Sequence, residues 1–396
     1  MEYTLMQKVK VVYGLGAVNE INNIIEDGKY RKPLLVYDKG MEESGIIYKV
    51  KDCLIDGGIS FSEFEQVVPD PPARIIDKAG EVYRAEGCDC IVAVGGGSAI
   101  DTAKGLNIVG NLGGSILDYA DKSFDVCRGL ISVPTTSGTG SELSQGIIVT
   151  DEKRGAKIPI LAYNSMSEYA VIDPELTMAL PPSLTAFTGL DVFSHSAEAY
   201  TTVNANGLTD IICEKLMETV KEYLPKAAGA SKDLKARERM SCAAALGGWM
   251  LYNSSAHMGH GLAHVIGNTY HVPHGLACAY TLPVMLEFIS ETSAEKVKKI
   301  GEILGAEFDK SHTFEEISAR EARTIGKISA RAYLQFRDSL EGMTPIKVYG
   351  VTKDRIRKDM DMLTDKLGEE VFNELCPRKI NADEREEILR SFMEYL

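Results

Sequence analysis

The amino-acid sequence predicts an α/β N-terminal domain built on a parallel sheet, residues 1–182, followed by an all-helical C-terminal domain, residues 183–396. Three observations point there. The chain of 396 residues exceeds the roughly 250–300 at which single cores usually stop growing, so two domains are expected. Short apolar runs alternate with helical patterns up to Pro181-Pro182. They lack the polar alternation of a half-solvated sheet, which suits strands covered on both faces. Beyond the two prolines strand patterns nearly vanish.

Taken in order, Pro33–Lys39 reads as a buried strand, Met41–Ile55 as a helix, Ile59–Val68 as a strand, Pro72–Glu86 as a helix and Cys90–Gly95 as a third strand. Further strand-like runs are Gly129–Val133, Gly146–Thr150, Lys157–Ala162 and Tyr169–Ile172. Helical periodicity then covers Thr209–Tyr223, Asp233–Tyr252, Ala294–Leu304, Phe314–Leu340, Lys353–Leu367 and Asp383–Tyr395. No repeat of fixed period is present.

The net charge of −14 argues against a nucleic-acid partner, which needs a concentrated basic surface, and against docking on an anionic membrane. The eight cysteines are scattered without a CxxC pair, so neither a zinc ribbon nor a thioredoxin-type motif is expected. With no secretory h-region and no apolar stretch of ~18 residues, the sequence reads as a soluble cytoplasmic protein.

Two segments carry a phosphate-binding pattern. In Cys90-IVAV-Gly95-Gly96-Gly97-Ser98-AI-Asp101-TA-Lys104 a buried strand runs into three glycines and a helix begins at once. Glycine lets the backbone approach a ligand, and the helix start offers N–H groups and partial positive charge to a phosphate. Ser98 and Asp101 fit a capping box, with Ser as N-cap. The alternative is a glycine-rich turn that binds nothing. The pattern is not GxGxxG, and the acidic residue that could hold a ribose, Asp38, lies upstream at the end of an earlier strand. A second loop, Pro134-Thr135-Thr136-Ser137-Gly138-Thr139-Gly140-Ser141-Glu142, follows a strand and brings hydroxyls to its carboxyl end.

Five of the seven histidines fall between His257 and His274. Asp191 and His195 stand four residues apart, as do His260 and His264, and i,i+4 residues share one face of a helix. His274 follows in a Pro-His-Gly turn. A lone histidine usually satisfies a local hydrogen bond. This density, with a carboxylate beside it, instead suits a borderline divalent ion such as Fe(II), Zn(II), Mn(II) or Co(II).

Together GGGSAIDTAKG at 95–105, PTTSGTGSE at 134–142, GLDVFSHSAEAY at 189–200 and HGLAHVIGNTYHVPHG at 260–275 resemble the iron-dependent (group III) alcohol dehydrogenase family, which includes lactaldehyde reductase and 1,3-propanediol dehydrogenase. The resemblance implies a dinucleotide-binding sheet, NAD, and one divalent metal, Fe(II) before Zn(II) or Mn(II). It implies that Asp191, His195, His260 and His274 are the ligands and that His264 is a non-ligand relay beside the nicotinamide. Gly95, Gly96, Gly97, Ser98, Asp101, Thr135 and Thr136 would form the cofactor cradle, with Lys157 and Leu176 as further contacts and Asp38 favouring NAD over NADP. Asp70 stands where relatives commonly carry Asn, and Cys376-Pro-Arg-Lys379 departs from a family segment with Asn before the Pro.

The expected activity is hydride transfer between NAD(H) and a small primary alcohol or aldehyde, in at least a homodimer. Alternatives are a reductase of acidic (carboxylated, sulfonated or phosphonated) aldehydes, for which His257, His271 and Arg378 could supply a basic side with Trp249 and Leu251 as apolar lining, and a dehydroquinate-synthase-type lyase. A third is a non-catalytic NAD-binding module, which loss of a ligand would have favoured.

Overall fold

The computed structural model describes residues 3–120, 122–229, 233–309 and 317–396. The chain separates into two compact units, Met6–Leu180 and a second containing Pro181–Leu396.

In the first unit, β1 (Lys10–Tyr13), β2 (Pro33–Val36), β3 (Ser62–Phe64), β4 (Cys90–Gly95), β5 (Leu130–Pro134) and β8 (Tyr169–Ile172) form one sheet in the order β1-β8-β5-β4-β2-β3. Every pairing in it is parallel. Successive residues of β2 and β4 point to opposite faces. Leu35, Val92 and Val94 pack with Ile21, Ile47 and Val50, while Leu34, Val36 and Ile91 pack with Ile75, Ile100 and Ala103. Burial on both faces explains why these strands read as continuous apolar runs. From β2 the chain moves outward to β3, whereas β4 leads the other way to β5. The direction therefore reverses between β2 and β4, and open α/β sheets bind ligands beyond the carboxyl ends of strands at such a point.

Several sequence expectations need correction. The runs at 146–150 and 157–162 lie outside the six-stranded sheet, pairing as an antiparallel hairpin of β6 (Gly146–Asp151) and β7 (Ala156–Leu161), with one parallel bridge from Thr150 to Pro72. Burial along β6 alternates, the mark of a half-solvated strand. The helix expected over 41–55 breaks at Gly45, whose φ of 76° starts a new helix at Ile46. Of 59–68 only Ser62–Phe64 pairs, at the sheet edge. β1 was not anticipated, because its run begins at Lys10 and lies exposed at the other edge.

In the second unit the Pro182–Thr201 helix is buried on nearly every side, its apolar residues in the core and its polar Asp191, His195 and Glu198 buried with them. The helices Gly207–Ala228, Leu234–Asn253, Met258–Tyr270 and His274–Leu304 contribute to the same core cluster. The last of these bends at Ser293 (φ −137°). Expected helix 314–340 is described from Ala319 to Asp338, its first residues lying outside the described segments, and 353–367 divides into Lys353–Lys358 and Met360–Glu369. Among the described residues no helix is long and apolar enough to cross a membrane.

Candidate active site

The structure brings Asp191, His195, His260 and His274 together: one donor atom from each lies within 4.8 Å of all the others. Asp191 Oδ1 stands 3.5 Å from His195 Nε2 and 3.6 Å from the Nε2 atoms of His260 and His274. Asp191 and His195 come from one helix and His260 from the next but two, Met258–Tyr270. His274 is the first residue of the following helix, after the N-cap Pro273, rather than part of a free turn. Gly275 allows that helix its approach, since a Cβ there would meet the Phe187 carbonyl oxygen at 2.3 Å.

Asp191 Oδ1 and His260 Nε2 are buried and have no hydrogen-bond partner. Two acceptors facing each other in a dry site are costly unless a positive charge lies between them. Burial lowers the pKa of His195 to about 4 and depresses His274 as well, against the pull of Asp191, so both present lone pairs at neutral pH. Burial opposes ionisation of Asp191, but the imidazoles of His195, His274 and His260 outweigh it and hold the carboxyl well below the usual range. His260 is the exception. Burial opposes its charge, yet Cys278 and Glu198 raise its pKa well above the ordinary value. A divalent ion would take the place of that proton. One carboxylate and three imidazoles in this arrangement fit such an ion.

His264 lies outside the four-donor set. Its ring is 5.5 Å from that of His274 and 5.3 Å from that of Phe372, and its Nδ1 is 3.5 Å from Glu370 Oε2. Sequence reasoning missed Glu370 and Phe372, which arrive from a distant segment with no local signal. It also missed two residues that had one. Cys278, four residues after His274, sets its Sγ 3.6 Å from His274 Nε2. Glu198, seven residues after Asp191 on the same helix face, holds His260 Nδ1 at 2.6 Å.

The proposed basic lining is not found at this cluster. His257 is buried against Thr201 Oγ1 at 2.8 Å, and His271 is exposed in the αL turn (φ 55°) that ends its helix. Arg378 stacks over Phe288 and donates to the Phe288 carbonyl and to Glu384. Trp249 packs against the helical core, and Leu251 is part-exposed.

In the sheet unit, Gly95 pairs with Pro134, so the glycine turn and the 134–142 loop leave neighbouring strands side by side. Gly95 has φ 153°, and the helix Gly97–Leu112 starts from Gly96 with no side-chain cap. The capping box expected of Ser98 and Asp101 is therefore absent, because the glycines let the helix begin before Ser98. Its first N–H groups are left to a ligand or water. Thr135 Oγ1 is buried without a partner, while Thr136 and Thr139 nestle against Gly96 and Gly97. Part of the need for glycine is thus this loop contact. Asp38 caps the next helix through the Gly40 N–H (2.7 Å), and its other oxygen would lie 3.7 Å from a Cβ at Gly95. These groups fit a dinucleotide phosphate and ribose.

Asp101 instead accepts from Ser141 Oγ and from Ile148 N (3.0 Å), and pairs at 3.7 Å with the fully buried Lys104. Lys157 is held by Asp70 at 2.6 Å, and Asp70 has a left-handed φ of 51° that suits Asp or Asn. The Leu176 side chain is in the core, so only its backbone could meet a nucleotide.

Comparison with known proteins agrees with this geometry. Residues 8–174 match the family model "Iron-containing alcohol dehydrogenase", and residues 185–393 match "Fe-containing alcohol dehydrogenase family, C-terminal". The chain is 33% identical to alcohol dehydrogenase 4 of Schizosaccharomyces pombe over 96% of this chain and 87% of that one. It is 30% identical to lactaldehyde reductase of Escherichia coli over 75% and 78%. A crystal structure of 1,3-propanediol oxidoreductase superposes with a TM-score of 0.90 at 26% identity, covering 99% of this chain and 100% of that chain. A sulfoacetaldehyde reductase of Bifidobacterium kashiwanohense in complex with NAD+ gives 0.83 at 26% identity, covering 99% of each. With both halves matched, and the four clustered donors lying in the C-terminal match, the chain belongs to the iron-containing alcohol dehydrogenase family.

Proposed function

We propose that this oxidoreductase moves a hydride between NAD(H) and a small primary alcohol or aldehyde, with Asp191, His195, His260 and His274 holding one divalent ion, Fe(II) before Zn(II) or Mn(II). The observation that carries the reading is the four-donor cluster with its two orphaned buried acceptors. When bound, the cation supplies Lewis acidity and NAD supplies the hydride acceptor. The remaining work falls to the chain. The helix start at Gly97 and the hydroxyls of Ser98, Thr135 and Thr136 hold the cofactor phosphates. Gly95 and Gly96 let the backbone come close, while Lys157 and the Leu176 backbone add nucleotide contacts, and Asp101 acts by bracing the loop. His264 exchanges the substrate hydroxyl proton with solvent, steadied by Glu370.

His264→Ala is expected to lower kcat by about a hundredfold, the range of a lost proton relay, with the bound metal retained. Loss of metal from this variant would show that His264 is a ligand and refute its role.

Cofactor choice varies among the relatives: a butanol dehydrogenase of Clostridium saccharobutylicum, 30% identical, is NADPH-dependent, and a methanol dehydrogenase of Bacillus methanolicus, 32% identical, is NAD-dependent. Here Asp38 would face a 2′-phosphate as a like charge, at a cost of about 1 kcal/mol or more. NADH is expected to outperform NADPH, and Asp38→Gly to narrow that gap by about fivefold or more. Equal efficiency of the unaltered enzyme with both cofactors would contradict this.

An acidic aldehyde remains the second reading because of the likeness to a sulfoacetaldehyde reductase, but the partners found for His257 and Arg378 favour a neutral substrate. Both family matches favour a dehydrogenase over a lyase. We place the protein in the cytoplasm, with its eight cysteines free as in a reducing compartment. A homodimer or larger assembly is favoured by the edge strand β1, which exposes Val11 and Tyr13.

A further inference from the structure

We infer that Glu198 is the positioning residue of the metal centre: its buried carboxylate fixes His260 with the proton on Nδ1 and Nε2 turned toward the ion. The inference rests on the reading of Asp191, His195, His260 and His274 as ligands, and assigns a task to a residue outside that set.

Asp191, His195 and Glu198 stand at i, i+4 and i+7 on the Pro182–Thr201 helix, so all three project from one face. Asp191 meets the three imidazoles directly, while Glu198, 1% exposed, reaches the start of the Met258–Tyr270 helix. Both of its oxygens are in use. Oε1 lies 2.6 Å from His260 Nδ1, and Oε2 accepts the backbone N–H groups of His257 (2.8 Å) and His260 (3.1 Å). Those N–H groups belong to a helix start, where intrahelical partners are lacking and negative charge is favoured. One carboxylate therefore anchors both the backbone and the ring of His260.

The chemistry of the two acceptors decides the tautomer. A carboxylate oxygen only accepts, so the nitrogen facing it must carry the hydrogen. Nε2 then points its lone pair at the common centre, 3.6 Å from Asp191 Oδ1. A carboxylate behind a ligating imidazole also raises the basicity of the ring, and losing such a partner typically costs 10–100-fold in metal affinity. Gly259 belongs to the same device. Its backbone is helical, but a Cβ would lie 2.6 Å from Glu198 Oε1 and 2.9 Å from Cδ. Alanine there would raise helix propensity and push the carboxylate aside.

The test is the affinity of the metal-stripped protein for Co(II), measured by chelator competition, for the wild type and three variants. Glu198→Gln preserves shape but can set an amide donor against Nδ1. Gly259→Ala displaces the carboxylate without altering it. Thr281→Val removes a different hydrogen bond at the same helix start, Oγ1 to the Gly259 carbonyl (2.9 Å). Glu198→Gln and Gly259→Ala are expected to bind Co(II) about 10–100-fold more weakly, with Thr281→Val unchanged. If Glu198→Gln does not fold, Gly259→Ala decides alone. Wild-type affinity in Glu198→Gln overturns the inference, and so does an equal loss in all three variants, which would make helix-start stability the cause. A wild type that binds no divalent ion overturns the ligand assignment itself, and this inference with it.

Discussion

His274→Ala, or Asp191→Asn, is expected to empty the metal centre and to lower turnover by at least about a thousandfold, the several kcal/mol that a Lewis acid contributes to such a reaction. Asp191 Oδ1 faces all three imidazoles at 3.5–3.6 Å, so neutralising it removes the only negative charge among the four donors. His274 is the least buried of the set, and its removal opens the coordination shell with little disturbance of packing. The fold of either variant is expected to survive, because the helical unit has its own extensive apolar core. Metal analysis beside circular dichroism checks both parts. A His274→Ala protein that keeps its ion and turns over normally would remove His274 from the ligand set.

The second large effect concerns stability. Lys104→Met is expected to cost about 3 kcal/mol, because breaking a buried pair strands its partner. Lys104 is fully buried, with Nζ 2.9 Å from both Ser141 Oγ and the Gly146 carbonyl and 3.7 Å from Asp101. Together with Asp101 it fastens the glycine-turn helix to the 134–142 loop and to β6. Chemical denaturation measures the loss. A companion Asp101→Asn variant that weakened NAD binding while leaving stability unchanged would show that Asp101 acts on the cofactor directly rather than through the loop.

Asp101 also shows where sequence reasoning stops. Ser98-x-x-Asp101 has the form of a capping box, but the adjoining glycines start the helix earlier and free Asp101 for partners some forty residues on, Ser141 and Ile148. The histidines were legible for the opposite reason. Asp191 with His195, and the ligand His260 with the non-ligand His264, each stand four apart on one helix, and that spacing survives whatever the tertiary arrangement, while His274 opens a separate helix. Glu198 extends that period to seven and was readable in principle. Glu370 was not, since no local pattern ties it to His264 more than one hundred residues earlier. The sheet was legible because strands covered on both faces cannot alternate. Its edges were not, since β1 and β3 are short and partly exposed, and the β6–β7 hairpin resembled sheet strands in composition alone.

The central claim is that one divalent ion is held by these four side chains. Anomalous diffraction from crystals of the metal-loaded protein tests it directly. The expected result is a single strong peak within roughly 2.0–2.2 Å of one donor atom each of Asp191, His195, His260 and His274, with His264 beyond bonding distance. A peak bonded to His264, or one away from Asp191, would contradict the account.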